Sequence, residues 1–215
     1  MQNARTITMM GGKRLPYDSE TEYLQATGPQ WIDTGLVPTA STRIEARWKQ
    51  MEASTTQQRL YGVRENGVYY DIFIKNGKWQ GRFFSTTSVA TATVTAGEVY
   101  TLVADAAAGT ITVNGVTAST GVTPATTFTG TIPIFARRVD GEVSTSYESK
   151  MQLYSLKIYE SGVLVRDYIP VRKGTVGALC DRRGVGGMDP NGSPRNDGMY
   201  YNRGTGDFIV GPDKN

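Results

Sequence analysis

The alternation in "STRIEARWKQM" constrains the fold more than any other feature of this chain. Ile44, Ala46 and Trp48 fall on one side of an extended segment, and Arg43, Glu45, Arg47 and Lys49 fall on the other. Successive side chains of a strand point to opposite faces, so the segment reads as an antiparallel strand with one buried and one wet face. "VYYDIFIK" repeats the pattern, with Val68, Tyr70, Ile72 and Ile74 on one face. Asn76-Gly77 follows, and then "KWQGRFF". Asn-Gly between two such runs is the strongest short signal for a two-residue hairpin. Asn114-Gly115 marks another, and "EVYTLVAD", "TITVNG", "TIPIFARR", "KMQLYSLKIYE" and "VLVRDYIPV" read as further strands. With no long amphipathic helix in sight, the expectation is an all-β sandwich or barrel.

A chain of 215 residues suits one domain and can bury a core without a staple. Cys180 is its single cysteine and histidine is absent, which excludes an intramolecular disulfide, zinc clusters, Ser-His-Asp triads and Cys-His dyads. Cys180 reads as a buried, inert thiol. The formal charge of +3 is too mild for nucleic-acid binding, and the pairs Arg137-Arg138 and Arg182-Arg183 read as solvated surface. No stretch approaches the ~18 apolar residues of a membrane span. Residues 1–20 are polar, lack the apolar core of a signal peptide and read as an arm or linker; export by such a signal is not expected. The domain then covers residues 21–215. Residues 181–198, rich in Gly, Pro, Asn and Arg, read as a long exposed loop.

Several motifs carry possible chemistry. "WIDTG" contains the Asp-Thr-Gly of aspartic proteases around Asp33. Those enzymes share a proton between two such carboxylates, and here the motif occurs once and continues Leu36-Val37-Pro38 rather than with small residues. The simpler reading is a strand end, with Asp33 and Thr34 making local hydrogen bonds and Gly35 supplying the bend. The Glu-x-Asp-x-Glu spacing of a jelly-roll glucanase is missing, and Glu142 and Glu148 read as solvated loop charges. "NRGTGD" lacks the Gly-Lys-Ser/Thr ending of a phosphate loop and reads as a turn. Aromatic faces stack on sugars, which makes Trp31, Trp79, Tyr147 and Tyr201 the candidate carbohydrate-binding residues, whereas Trp48 belongs to the core. Asp181, Asp189 and Asp197 supply oxygen donors of the kind calcium takes and are the candidate metal ligands, although their spacing matches no EF-hand.

Blocks at both ends of the domain carry a resemblance. "EYLQATGPQWIDTGLVP" resembles the opening of a concanavalin A-like lectin/glucanase domain, the LamG-like jelly roll. "KMQLYSLKIYESGVLVRDYIPVR" looks like its closing strands, and "GALCD" with "MYYNRGTGDFIVGP" like its final hairpin. The resemblance runs from about Glu22 to Pro212, with the blocks in the expected order. It implies a two-sheet antiparallel β-sandwich in which Asp-Thr-Gly ends an early strand. The chain departs from the pattern between Asp181 and Met199, where the family has a short turn.

Such domains occur in phage structural proteins and in gut bacterial surface proteins, and fold alone does not fix function. The resemblance, the absent signal peptide and the short arm together lead to the expectation of a non-enzymatic virion protein. It would be a capsid-decoration, head-fibre or tail-appendage subunit, homo-oligomeric, in contact with other virion proteins, with a lectin-like domain facing glycans or the host surface. The alternative is a carbohydrate-binding module of a bacterial surface protein. No cofactor, nucleic acid or membrane is expected, beyond calcium at the loop.

Overall fold

The computed structural model describes residues 9–10, 13–53, 57–121, 127–144, 146 and 149–214. Among them there is no helix, and two antiparallel sheets pack face to face as a β-sandwich. The larger sheet runs Val116–Ser119, Thr110–Val113, Val99–Asp105, Thr42–Gln50, Ser149–Glu160, Val163–Lys173, Val176–Asp181 and Met199–Tyr201. Leu24–Gly28 pairs with the first half of Ser149–Glu160, and Val163–Lys173 pairs with the second. The smaller sheet runs Val89–Thr93, Lys78–Ser85, Val68–Lys75, Arg59–Glu65, Pro133–Ile134 and Ile32–Asp33. Arg137–Val139 lies parallel to Arg59–Glu65 and antiparallel to Glu142–Ser144. Thr42–Gln50 pairs with two strands far from it in sequence, so the chain crosses repeatedly between the sheets.

Local chemistry explains the turns. Asn76 and Gly77 have φ of 53° and 67°, and Asn114 and Gly115 have 46° and 80°. A tight hairpin whose twist matches its strands needs positive φ at both central residues, and Asn-Gly adopts it at least cost.

The inward faces of the two sheets form one core. Ile44, Ala46 and Trp48 all point into it, as their alternation requires. At its centre the Trp48 ring meets Trp79 edge-on at 4.8 Å and stacks on Tyr100 at 5.5 Å, both favourable arrangements for aromatic quadrupoles. Leu153 and Leu156 both face this core although three residues apart, because a bulge between Leu153 and Ser155 adds one residue to the strand. That bulge aims Tyr154 outward.

A second apolar cluster covers part of the outer face of the larger sheet. Ile169, Val171, Ala178, Cys180 and Met199 form it, with Tyr17 and Tyr201 packed against them. Ser19–Glu20 pairs with Val171 and Arg172 of the sheet, and the Asp18 amide donates to the Arg172 carbonyl at 2.9 Å. The end of the segment read as an arm is thus built into the domain. Tyr17 has an apolar surface to cover, and the strand Val163–Lys173 has free edge groups to satisfy.

Candidate functional site

Asp33 illustrates how this fold uses its carboxylates. Its Oδ1 accepts a hydrogen bond from the Gly35 amide at 3.0 Å, which closes the local turn. Its Oδ2 accepts from Arg138 at 2.8 Å and from Arg203 at 3.2 Å. Arg138 also donates to the carbonyls of Thr131 and Gly141. Asp33 therefore ties three distant segments together at one end of the sandwich. The strand-end reading of "WIDTG" holds, with two arginines added that sequence spacing does not reveal.

The four aromatic candidates fare differently. Trp79 is wholly buried against Trp48 and Tyr100, which corrects its assignment to sugar binding: it offers no face to a ligand. Its neighbours Lys78 and Gln80 take the outward positions. Trp31 is only 8 % exposed, and the Arg203 guanidinium lies 4.9 Å from its ring centroid. Its amide donates to Asn202 Oδ1 and its carbonyl accepts from the Arg203 amide, so Trp31 seals the junction with the turn at 202–206 rather than lining an open site. Tyr201 is half-buried on the second apolar cluster with Arg195 5.6 Å from its ring, and burial pushes its phenol up from the ordinary value. Tyr147 lies outside the described residues.

The three candidate calcium ligands each serve a separate local structure. Asp181 accepts from the amides of Asp167 at 3.0 Å and Arg183 at 3.1 Å. Asp189 accepts from the Ser193 amide at 2.8 Å. Asp197 pairs with Arg195 and accepts from the Met199 amide. Burial opposes ionisation of Asp197, but Arg195 and that amide outweigh it and hold the carboxyl below its ordinary range. Among the described residues no three metal-ligating side chains converge. The loop that carries them folds back on itself: Met188 exchanges backbone hydrogen bonds with Met199 and Tyr201, and Arg195 donates to the Gly187 carbonyl.

An open groove of about 590 Å³ lies on the outer face of the larger sheet, and Trp31, Trp79 and Tyr201 do not line it. Its floor comes from the wet face of Thr42–Gln50 and from the two strands beyond it. Arg47, Tyr154, Lys157 and Asp167 project there. Glu22 and Lys214 form one wall, brought together because the Glu22 amide donates to the Pro212 carbonyl and the Lys214 amide to that of Glu20. Arg182 stands at the side, paired with Glu20 at 3.2 Å.

Tyr154 is fixed from several directions. Arg47 lies 4.6 Å from its ring centroid and Tyr23 meets it edge-on at 6.1 Å. Its hydroxyl donates to Gln152 Oε1 at 3.1 Å, and Gln152 in turn donates to Gln25. Burial raises the phenol above its ordinary value, partly offset by Arg47, so the group is a neutral donor at neutral pH. Lys157 sits opposite Glu45 on one neighbouring strand and Asp167 on the other. The groove thus presents cationic donors, carboxylate acceptors and one anchored aromatic ring. The sequence signal for it was the charged face of Thr42–Gln50; the strands that complete it are set by pairing.

The fold is a two-sheet antiparallel β-sandwich. No family model and no curated protein sequence matches the chain. Similar solved structures include a heptameric SAP-like pentraxin from Limulus polyphemus, 12% identical, with a TM-score of 0.47 over 65% of this chain and 76% of that one. A Trypanosoma rangeli sialidase is 16% identical, with a TM-score of 0.39 over 68% of this chain and 26% of that one. A mutant of that sialidase displaying trans-sialidase activity is 16% identical, with a TM-score of 0.39 over 55% of this chain and 20% of that one. The chain thus spans a minor part of the sialidases' length.

Proposed function

We propose that this chain is a non-enzymatic, lectin-like binding module of a virion surface, and that it takes glycans in the groove on its larger sheet. The groove itself is the observation that supports this reading: an open depression with a fixed tyrosine ring, cations and carboxylates matches what polyhydroxylated ligands need. Sugar hydroxyls both donate and accept, so a mixed set of charged partners satisfies them, and the Tyr154 ring holds the Arg47 guanidinium in place. The non-enzymatic part is supported by Asp33, whose carboxylate is held by two arginines and its own turn rather than aimed at a ligand.

A glycan-array screen of the purified protein, with calcium and with chelator, tests the binding role. Reproducible hits that persist in chelator are expected. A blank array from folded protein would leave an architectural role in a particle. Immunogold labelling of particles against host cells separates the virion setting from its alternative, a module of a bacterial surface protein.

A further inference from the structure

Arg47 is exposed, lies over the Tyr154 ring, and has no protein acceptor for its guanidinium among the described residues. Several other arginines are committed to carboxylates: Arg59 and Arg82 to Asp71, Arg138 and Arg203 to Asp33, Arg172 to Asp213. Among the described residues, Lys157 and Lys214 at the same groove also lack a carboxylate within salt-bridge distance. Arg182 is neutralised by Glu20. The remaining lining acids, Glu22 and Asp167, form no ion pair among the described residues either.

We infer that the groove selects acidic glycans, sugars bearing a carboxylate or sulfate, with Arg47 as the fork that receives the anionic group. This inference rests on the groove being the glycan site. A guanidinium offers a planar set of donors that matches a carboxylate or sulfate, and contact with an aromatic ring restricts it before the ligand arrives. Lys157 and Lys214 add longer-range attraction. Glu22 and Asp167 accept from ring hydroxyls. Because Arg47 is exposed, solvent screens the pair, and the discrimination is modest rather than absolute.

The test is calorimetric titration at low salt with three tetrasaccharides: a polyuronate, the same sugar with its carboxyls reduced to alcohols, and a sulfated neutral sugar. Wild type is compared with Arg47→Gln, Arg47→Lys and the double variant Lys75→Gln/Lys78→Gln. The last removes more charge, at an exposed hairpin away from the groove. The expected result is acid binding that weakens about three- to tenfold in Arg47→Gln. Arg47→Lys should recover part of it, and the hairpin variant should retain it. The ratio of polyuronate to sulfated-sugar affinity tells which anion the fork prefers. Equal affinity for the reduced sugar, or an equal loss in the hairpin variant, would overturn the inference while leaving glycan binding standing. No binding of any of the three would remove the glycan site itself.

Discussion

Asp33 and Arg138, 105 residues apart in sequence, meet at 2.8 Å with both side chains largely buried. The pair joins the end of an early strand to the strand Arg137–Val139, and Arg203 adds the turn near the C-terminus. Removing the carboxylate would leave two guanidinium groups facing each other without a counter-charge. Asp33→Ala should therefore lower the unfolding free energy by about 3–5 kcal/mol. Urea denaturation measures this, and an unchanged midpoint would show that the node is dispensable.

Trp79→Ala gives a different signature from a binding-site substitution. It empties the centre of the aromatic core and should cost about 3–5 kcal/mol of stability. Glycan affinity at a temperature where the variant is still folded should match wild type, since the groove lies on the opposite face of the larger sheet.

Gly204 approaches the backbone of Pro29 so closely that an added Cβ would lie 1.9 Å from the Pro29 carbonyl oxygen. Backbone cannot yield as a flexible side chain does. Gly204→Ala should force the 202–206 turn away from Trp31 and lower the melting temperature, and it should raise Trp31 accessibility to a fluorescence quencher. A variant as stable as wild type would mean that the turn relocates freely.

The pH profile follows from which groups burial protects. Burial pushes the Cys180 thiol and the Tyr17 phenol up to about 12, and holds Tyr61, Tyr70 and Tyr168 well above 10.0. In the unfolded chain these groups ionise at ordinary values, 9.0 for the thiol and 10.0 for the phenols. Above about pH 9 the unfolded state therefore binds fewer protons than the folded state, and stability falls as pH rises. With no histidine, no side chain has its ordinary pKa between about 6 and 8, so stability should be nearly flat there. Melting temperatures from pH 6 to 11 check both limbs; a steep change between 6 and 8 would contradict the assignment. The same burial predicts that Cys180 resists alkylation at pH 8 until the protein unfolds.

Truncation separates arm from domain. Removing residues 1–14 should leave the melting temperature near wild type, because Met9–Met10 and Lys13–Arg14 pair only with each other among the described residues. Removing residues 1–20 takes away Tyr17, the Ser19–Glu20 pairing and the Glu20 partner of Arg182, and should lower it clearly. Equal stability of the two truncations would restore the boundary to residue 20.

The strands were legible because their alternation is a local property: a residue's face depends only on its parity, so Ile44, Ala46 and Trp48 were core positions from sequence alone. The Asn-Gly turns were legible for the same reason, since positive φ is a demand on two residues. Trp79 was not, because a tryptophan beside Lys78 and Gln80 fits either face until its sheet finds a partner. The groove stayed hidden because its residues come from six separate segments, and the bulge that turns Tyr154 outward shows only when Leu153 and Leu156 are both seen in the core.

Sequence by itself determined the all-β architecture, the hairpins and the chemistry closed to a chain without histidine. Tertiary structure decided what each polar group does. Asp33 became a clamp because strand order set Arg138 and Arg203 beside it, and Arg47 was left open at a groove because its neighbouring strands supplied no acceptor within reach. The physical reason is that propensity and periodicity act between residues close in sequence. Ion pairs and grooves depend on which distant strands share an edge, and that is settled only when the whole core is buried at once.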